Sequence, residues 1–256
     1  MSGELRTVAE QAARAAGELL RERFEGGAER ATGSKSTPTD LVSEADLAAE
    51  GAIRDIITGH RPEDAILGEE GGETQEGAGL RWIVDPLDGT VNFLFGVPQW
   101  CVSVAVHDDE GGLVGIVYDP VREELFGGAR GGGSTCNAIA VRGSEQAELA
   151  PALVATGFAY DPRVRDAQAQ VVGRLLPRVR DVRRMGSAAL DLAWTAAGRF
   201  DAYYERGVHI WDVAAGVLLC EEAGLSVAQL AAEGELPSGI VVAPAALLEE
   251  LTALVT

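Results

Sequence analysis

Residues 82–93 read WIVDPLDGTVNF, a stretch in which two carboxylates, Asp85 and Asp88, stand three residues apart directly after a short apolar run. We expect the apolar run to be a strand and the two acids to face one point from a sharp turn at its end. Oxygen ligands of this kind are those that hard divalent cations prefer. Pro86 fixes its own φ angle, and Gly89 lets the backbone come close to whatever the acids hold. The stretch therefore predicts a metal site, although Asp-Pro and Asp-Gly are also common in ordinary turns.

Three other segments contain acids in an arrangement that favours the metal site over the ordinary turn. Glu69 and Glu70 follow the apolar stretch 65–67, and Asp212 falls in the first turn of a helix that we expect to begin at Trp211. The segment 39–46, TDLVSEAD, adds further acids near the N-terminus. Neighbouring side chains on an extended segment point to opposite sides, so only one of the two glutamates can face the metal.

These motifs, together with GSAALDL at 186–192 and YYERG at 203–207, resemble the inositol monophosphatase family of magnesium-dependent, lithium-sensitive sugar phosphatases. The stretch 82–93 fits the central motif of that family without a gap, and the likeness extends from about residue 35 to residue 224. The resemblance implies an α+β fold, a layered αβαβα sandwich with the metal site between its halves. It also implies hydrolysis of sugar or polyol phosphates, inositol-1-phosphate first among them, by a homodimer.

The resemblance further implies which residues hold the cofactor, two or three Mg²⁺ ions. Glu69, Asp85 and the carbonyl of Leu87 would hold the first ion. Asp85, Asp88 and Asp212 would hold the second. A third, weaker ion would depend on Glu69 and water. Since the family places this role on the first acid of the pair, we expect Glu69 to face the metals.

The attacking nucleophile implied by the resemblance is a water molecule activated by a metal ion. The catalytic residues would be Asp40, Thr90 and Glu69, with Thr90 and Asp40 orienting and deprotonating that water. The residues expected to contact the substrate are Asp88, Gly89, Thr90, Gly186, Ala188, Glu205 and Asp212. Asp46 is left out of the catalytic set, because Ser43-x-x-Asp46 resembles a capping box and gives that acid a structural role.

Glu205 carries most of the information about the substrate, because it stands seven positions before Asp212, as in family members that dephosphorylate inositol phosphates. A carboxylate can accept hydrogen bonds from neighbouring ring hydroxyls. It would repel a second phosphate group, although Arg206 beside it weakens that argument. Because a carboxylate can equally pair with an ammonium group, histidinol-phosphate phosphatase is an alternative within the family, as is fructose-1,6-bisphosphatase. A catalytically silent metal-binding interaction module is the alternative of another class, since a fold does not fix a function.

The composition limits the partners and the location. The chain of 256 residues has 40 acids against 21 bases and a net charge of −19, which disfavours nucleic acid and anionic membranes as partners. A bound divalent metal would reconcile this charge with a phosphate substrate. Cys101, Cys136 and Cys220 lack metal or redox spacing and indicate reduced thiols. No apolar run has the length of a membrane span, and the N-terminal segment lacks the apolar core of a secretory signal, so we expect a cytoplasmic protein.

The pattern of apolar residues divides the chain into an N-terminal α+β part, 1–144, with most of the metal ligands, and a C-terminal α/β part, 145–256. We expect the two parts to form one compact catalytic unit. The elements predicted for the first part are a helix over 4–25 with Leu5, Val8, Ala12, Leu19 and Phe24 on its apolar face, a loop over 26–38, a helix from Ser43, an antiparallel meander over 80–142 and a hairpin tip at 127–134. The elements predicted for the second part are strands over 152–156, 182–185, 200–205 and 240–243, and helices over 164–176, 186–198, 211–224 and 244–254. The segment 225–239 has no clear pattern.

Overall fold

The structure of the protein, a computed structural model, describes residues 2–26, 32–34, 41–73 and 79–256. Asp40 and most of the loop predicted over 26–38 lie outside these residues. The described helices are α1 (Ser2–Glu25), α2 (Glu44–His60), α3 (Thr90–Leu94), α4 (Pro162–Leu175), α5 (Ala188–Ala196), α6 (Ile210–Glu222), α7 (Ala245–Val255) and a 3₁₀ turn (Leu176–Arg178). None of these helices is both long enough and apolar enough to cross a membrane.

The described strands form three sheets. A short antiparallel pair consists of β1 (Thr32–Ser34) and β2 (Leu41–Ser43), and its first strand lies where the sequence predicted a loop. The strands of the larger sheet are β3 (Ala65–Gly68), β4 (Gly72–Glu73), β5 (Arg81–Asp88), β6 (Cys101–Asp108), β7 (Gly111–Asp119), β8 (Glu124–Ala129), β9 (Gly133–Cys136) and β10 (Ile139–Val141). The strands of the smaller sheet are β11 (Leu153–Thr156), β12 (Asp181–Arg183), β13 (Ala202–Arg206), β14 (Ser226–Leu230) and β15 (Gly239–Ala243).

The larger sheet has the strand order β10-β9-β8-β7-β6-β5-β3-β4, and each neighbouring pair is antiparallel except β3 with β5. From β5 to β10 the strands follow one another both in sequence and in space, so the predicted meander over 80–142 is confirmed. The turn between β8 and β9 falls inside the stretch 127–134, as predicted for a hairpin tip.

The smaller sheet is mixed, with the order β12-β11-β13-β15-β14. Strand β11 runs parallel to β12 and β13, while β15 runs antiparallel to β13 and β14. The strand and helix positions predicted for this part of the chain agree with the structure to within a few residues. The exception is β14, which lies in the segment without a clear pattern and completes the edge of the sheet.

The helices and the two larger sheets stack in five layers, and three apolar cores hold these layers together. The first core packs α1 and α2 against one face of the larger sheet, and the second packs α5 and α6 between the two sheets. The third packs α4 and α7 on the outer face of the smaller sheet. Tyr203 and Tyr204, neighbours on β13, enter the second and the third core respectively, as the two-residue period of a strand requires. The layers make the αβαβα sandwich of α+β class that the sequence predicted.

Helix α1 shows how helical spacing selects the buried face. Leu5, Val8 and Ala12 are buried, as predicted from the apolar periodicity. The fully buried leucine near the end of the helix is Leu20, however, and Leu19 is only partly covered. Position 20 follows the buried Ala16 and Gly17 by four and three residues and so lies in the middle of the buried face, whereas position 19 is rotated by about 100° from it toward the edge.

Candidate active site

Asp85 and Asp88 lie within β5 rather than on a turn after it, and the strand has a bulge between them. Asp85 is opposite Ser103 and Asp88 is opposite Cys101, so three steps along β5 match two steps along β6. Side chains three residues apart on a regular strand point to opposite faces, but one extra residue brings both acids to the same side. Pro86 has no backbone N–H to donate to the neighbouring strand, and proline is tolerated at such a bulge.

Asp88 is buried, and the N-terminus of α5 holds its carboxylate. Oδ2 of Asp88 accepts hydrogen bonds from the hydroxyl of Ser187 at 2.7 Å and from the N–H of Ala189 at 2.6 Å. Burial raises the pKa of Asp88 to about 6, although these hydrogen bonds and the N–H of Ala188 oppose the rise. The two halves of the chain therefore meet at this carboxylate. Ala188, predicted as a substrate contact, also supports a predicted metal ligand.

Asp85 is 2% exposed and stands among other acids. Its Oδ1 accepts the N–H of Leu87 at 3.0 Å, which fixes the side chain over the bulge. Burial, followed by the negative charges of Glu69, Asp88 and Asp212, raises the pKa of Asp85 well above its usual range. Acids that disfavour one another's ionisation in this way would be stabilised in their charged form by a cation between them.

Asp212 and Glu69 approach the same acids from different elements. Asp212 lies in the first turn of α6, as predicted, and its Oδ2 accepts the N–H of His209 at 2.6 Å. Burial and the charge of Asp88 raise the pKa of Asp212 well above its usual range. Glu69 directly follows β3, and its N–H donates to the carbonyl of Val84 on β5 at 3.2 Å. Glu69 is thus fixed relative to β5, and Asp212 is fixed at the start of α6.

Thr90, the first residue of α3, contacts Asp46, an acid for which the sequence predicted a structural capping role. Its hydroxyl oxygen lies 3.0 Å from Oδ1 of Asp46 and 3.1 Å from the carbonyl oxygen of Leu87. Asp46 is fully buried in the first turn of α2. The partner that the resemblance implied for Thr90, Asp40, lies outside the described residues. A signal for Asp46 was present, because it shares the helical spacing of the buried face that contains Ile53, and a buried acid needs a partner.

Glu205 lies on β13, partly buried, seven positions before Asp212. Its Oε2 accepts a hydrogen bond from the hydroxyl of the fully buried Tyr203 at 2.8 Å. Burial raises the pKa of Glu205 to about 7, and the positive charge of Arg184 opposes the rise. At neutral pH the side chain is therefore poised between a carboxylate and a carboxylic acid.

One cavity of about 620 Å³ brings the predicted residues together. The sequence-predicted residues that line it are Glu69, Asp85, Leu87, Asp88, Gly89, Thr90, Gly186, Ala188, Glu205 and Asp212. Arg184 and Trp211, which no sequence motif indicated as site residues, also line the cavity. Gly89 has φ +98°, and a Cβ there would lie 2.9 Å from the carbonyl oxygen of Gln99, so only glycine fits this position.

The residues that line the cavity fit a hard divalent cation by chemical type. The acids Glu69, Asp85, Asp88 and Asp212 offer only oxygen atoms, and their carboxyl groups interact electrostatically. Within 2–26, 32–34, 41–73 and 79–256, no three acidic, histidine or cysteine side chains already have the spacing of a metal-ligand shell. The fit therefore depends on the kind of donors and on their common location.

Comparison with known proteins assigns the family. The sequence pattern of the inositol monophosphatase family matches residues 1–256. An inositol-1-monophosphatase of Mycobacterium leprae is 46% identical over 211 residues, which cover 79% of this chain and 72% of that protein. A protein of Escherichia coli named Nus factor SuhB is 41% identical over 219 residues, covering 85% of this chain and 82% of that protein.

A solved structure agrees with the sequence comparison. The extragenic suppressor protein suhB from Bartonella henselae superposes with a TM-score of 0.90 at 33% identity, covering 99% of this chain and 98% of that chain. The fold, the cavity and the match along the whole sequence lead to one conclusion: the chain belongs to the inositol monophosphatase family and is a phosphoric monoester hydrolase of that type.

Proposed function

We propose that the chain is a Mg²⁺-dependent phosphatase that acts on sugar or polyol monophosphates, with inositol-1-phosphate as its main substrate. The observation that carries this proposal is the convergence of four acids, Glu69, Asp85, Asp88 and Asp212, with Thr90 in one cavity. Such a set of acids would repel a phosphate by itself. Bound Mg²⁺ would supply the positive charge that neutralises the phosphoryl oxygens and lowers the pKa of water.

Each acid has a position that suits the role proposed for it. Glu69, Asp85 and the carbonyl of Leu87 would hold one ion, and Asp85, Asp88 and Asp212 a second, with a third ion depending on Glu69. The bulge that brings Asp85 and Asp88 to the same side supports a bridging role for Asp85. The hydrogen bonds from α5 occupy Oδ2 of Asp88 and fix the direction of its other oxygen.

Thr90 and Asp46 would orient the attacking water. When the hydroxyl of Thr90 donates its proton to Asp46, the lone pairs of Oγ1 become available to accept a hydrogen bond from water. The negative charge of Asp46 keeps that direction fixed, since charge-assisted hydrogen bonds are strong. We therefore propose Asp46 as the charged partner of Thr90; the role of Asp40 stays a prediction.

The test of the function is phosphate release from inositol-1-phosphate with Mg²⁺ and with EDTA. Histidinol phosphate and fructose-1,6-bisphosphate, the substrates of the alternatives within the family, are assayed beside it. We expect release that depends on Mg²⁺ and a higher kcat/KM for inositol-1-phosphate than for the other two. No release from any of the three would favour the catalytically silent metal-binding interaction module.

Glu205→Gln is expected to separate the two monophosphate substrates. An amide can still accept one hydrogen bond from an inositol hydroxyl, so kcat/KM should fall only about 5-fold, the value of one neutral hydrogen bond. An ammonium group would lose a charged partner, so kcat/KM for histidinol phosphate should fall about 10- to 150-fold. The measurement is kcat/KM for both substrates in both proteins, which reports transition-state binding.

The control for Glu205→Gln is Glu249→Gln, which removes one acid from the exposed surface of α7. It should leave both kcat/KM values unchanged. If neither substrate responds to Glu205→Gln, the side chain does not contact the substrate and the assignment of inositol-1-phosphate loses its support.

Mg²⁺ should stabilise the fold, and more so at higher pH. Burial raises the pKa of Asp88 to about 6 and that of Glu205 to about 7. At a pH between the ordinary pKa and the raised pKa of each group, the folded protein therefore binds more protons than the unfolded chain. Without metal, the stability that these two groups contribute should therefore be greatest below about pH 4 and be lost as the pH rises through about 6 to 7. At about pH 8, Mg²⁺ at 100 times its Kd should restore about 2.7 kcal/mol.

Thermal unfolding in EDTA and in Mg²⁺ measures this effect, and Glu69→Gln should reduce the gain. A gain of about 2.7 kcal/mol corresponds to a rise in Tm of about 5–10 °C for a chain of this size. Equal Tm values with EDTA and with Mg²⁺ at about pH 8 would show that the acids do not hold the ion.

The proposal also covers the oligomeric state of the protein and its location in the cell. Phe95 and Val97 are 66% and 43% exposed on the segment after α3, and the side chain of Arg122 reaches the carbonyl of the adjacent Pro98. Such exposed apolar side chains support self-association, and we propose a homodimer in the cytoplasm.

A further inference from the structure

We infer that Glu50 and Arg54 on α2 are positioning residues that hold Glu69 in place for metal binding. The inference rests on the proposed function, because Glu69 is one of the proposed metal ligands. The turn that contains Glu69, residues 69–71, connects β3 to β4 and is here called the Glu69 turn. Its start is fixed by the sheet, and its end is fixed by α2.

On the sheet side, ordinary backbone pairing fixes the turn. Gly68 is in register with Val84 on the parallel strand β5 and with Gly72 on β4. The N–H of Glu69 donates to the carbonyl of Val84. The residue that follows Val84 is Asp85, so this ladder sets Glu69 beside the bulge that contains the other acids.

On the other side, a buried carboxylate holds the backbone of the turn. Oε2 of Glu50 accepts the N–H of Glu70 at 2.8 Å, and Oε1 accepts the N–H of Gly71 at 2.9 Å. Glu50 is only 4% exposed, and it is oriented by Arg54, whose Nε donates to Oε1 at 2.7 Å. Arg54 also reaches the end of the turn, because its Nη2 donates to the carbonyl of Gly72 at 2.7 Å.

The turn is shaped to receive this pair. A Cβ at Gly68 would lie 2.5 Å from the carboxyl carbon of Glu50, and one at Gly71 would lie 2.6 Å from its Oε1. Side chains at these two positions would collide with the carboxylate of Glu50 and displace it from its hydrogen bonds with the turn. The glycines on both sides of Glu69 and Glu70 thus leave the space that the carboxylate of Glu50 occupies.

The same face of α2 reaches the water-orienting threonine. Asp46, Glu50 and Arg54 follow one another at intervals of four residues and lie above one another on the helix. The first contacts Thr90, and the other two hold the Glu69 turn. One rigid helix therefore sets the distance between a proposed metal ligand and the threonine proposed to orient the water.

Glu50→Gln tests the inference by metal binding rather than by activity alone. A glutamine offers one acceptor oxygen and turns an N–H₂ donor toward backbone donors, so the turn should loosen. Mg²⁺ binding to the substrate-free protein, measured by calorimetry, should weaken about 10-fold, the lower end of the effect of residues that orient metal ligands. Hydrogen exchange at the amides of Glu70 and Gly71 should accelerate. High Mg²⁺ should restore most of the turnover.

Asp55→Asn is the matched control, because it removes one negative charge from the exposed face of the same helix. Arg54→Met is the second variant, and it decides the outcome if Glu50→Gln does not fold; Arg178→Met on the surface is its control. Wild-type Kd for Mg²⁺ in both folded variants would overturn the inference, and so would an equal weakening in Asp55→Asn. In those cases Mg²⁺-dependent phosphate release by the wild type would still uphold the proposed function. A wild type that neither binds Mg²⁺ nor releases phosphate would remove both.

Discussion

Asp85→Asn should lower phosphate release at saturating Mg²⁺ by about 1,000-fold or more, the upper end of what the loss of one transition-state contact costs. Asp85 is the acid whose pKa is raised, after the effect of burial, by three other carboxylates of the site. We propose that Asp85 would contact both ions, since it lies at the bulge that brings it to the same side as Asp88. Asparagine keeps the shape of the side chain but loses its charge.

The same substitution should not weaken the metal-free fold. The carbonyl oxygen of an asparagine can still accept the N–H of Leu87, as Oδ1 of Asp85 does. The pKa of Asp85 is raised well above its usual range, so ionisation of this group destabilises the folded state as the pH rises through the folded pKa. An amide does not ionise. In EDTA at about pH 8 the variant should therefore unfold at the same temperature as the wild type or a higher one.

Activity and Tm together separate a lost ligand from a lost fold. Asp109→Asn, which removes an exposed acid from the turn between β6 and β7, is the control and should behave as wild type in both measurements. Turnover near the wild-type value in Asp85→Asn would rule out the bridging role. A marked fall in its metal-free Tm would mean that the carboxylate stabilises the fold by a contact other than those described above.

Local periodicity and short motifs predicted most of the fold. The alternation of Val102, Val104 and Val106 predicted one buried face of β6, and those side chains do enter the core beneath α1 and α2. Strand β14 was missed because it is an edge strand whose side chains are mostly half-buried, so its pattern lacks the contrast between apolar and polar positions. Edge strands depend on a partner, here β15, that local sequence does not reveal.

The site was predicted in its members but not in its geometry. The sequence placed Asp85 and Asp88 on a turn, whereas a bulge within β5 aligns them. A bulge depends on the pairing with β6, and no residue of the motif alone specifies that register. The role of Asp46 was missed for a similar reason, because its contact with Thr90 joins residues 44 positions apart. Local rules favoured a capping role, and tertiary packing supplied a different partner.

Thr90→Val should reduce turnover by about 100- to 10,000-fold, the contribution of a positioned group that handles a proton. Valine has nearly the shape of threonine but neither donates to Asp46 nor accepts from water. Asp46→Asn should cause a similar loss, because its amide can turn an N–H₂ group toward Thr90 and reverse the direction of that hydrogen bond. Thr90→Ser keeps the hydroxyl and should retain most of the activity.

The measurement is kcat at saturating substrate and Mg²⁺, with Mg²⁺ binding by calorimetry as the second readout. Since neither Thr90 nor Asp46 is a proposed metal ligand, the Kd for Mg²⁺ should stay close to the wild-type value in all three variants. Glu44→Gln, an exposed acid in the same first turn of α2, is the control and should be fully active. If Thr90→Val falls and Asp46→Asn does not, the threonine is oriented by another group. If both retain wild-type kcat, the water is positioned by the metal ligands alone, and the contact between α2 and α3 serves only the packing of the two helices.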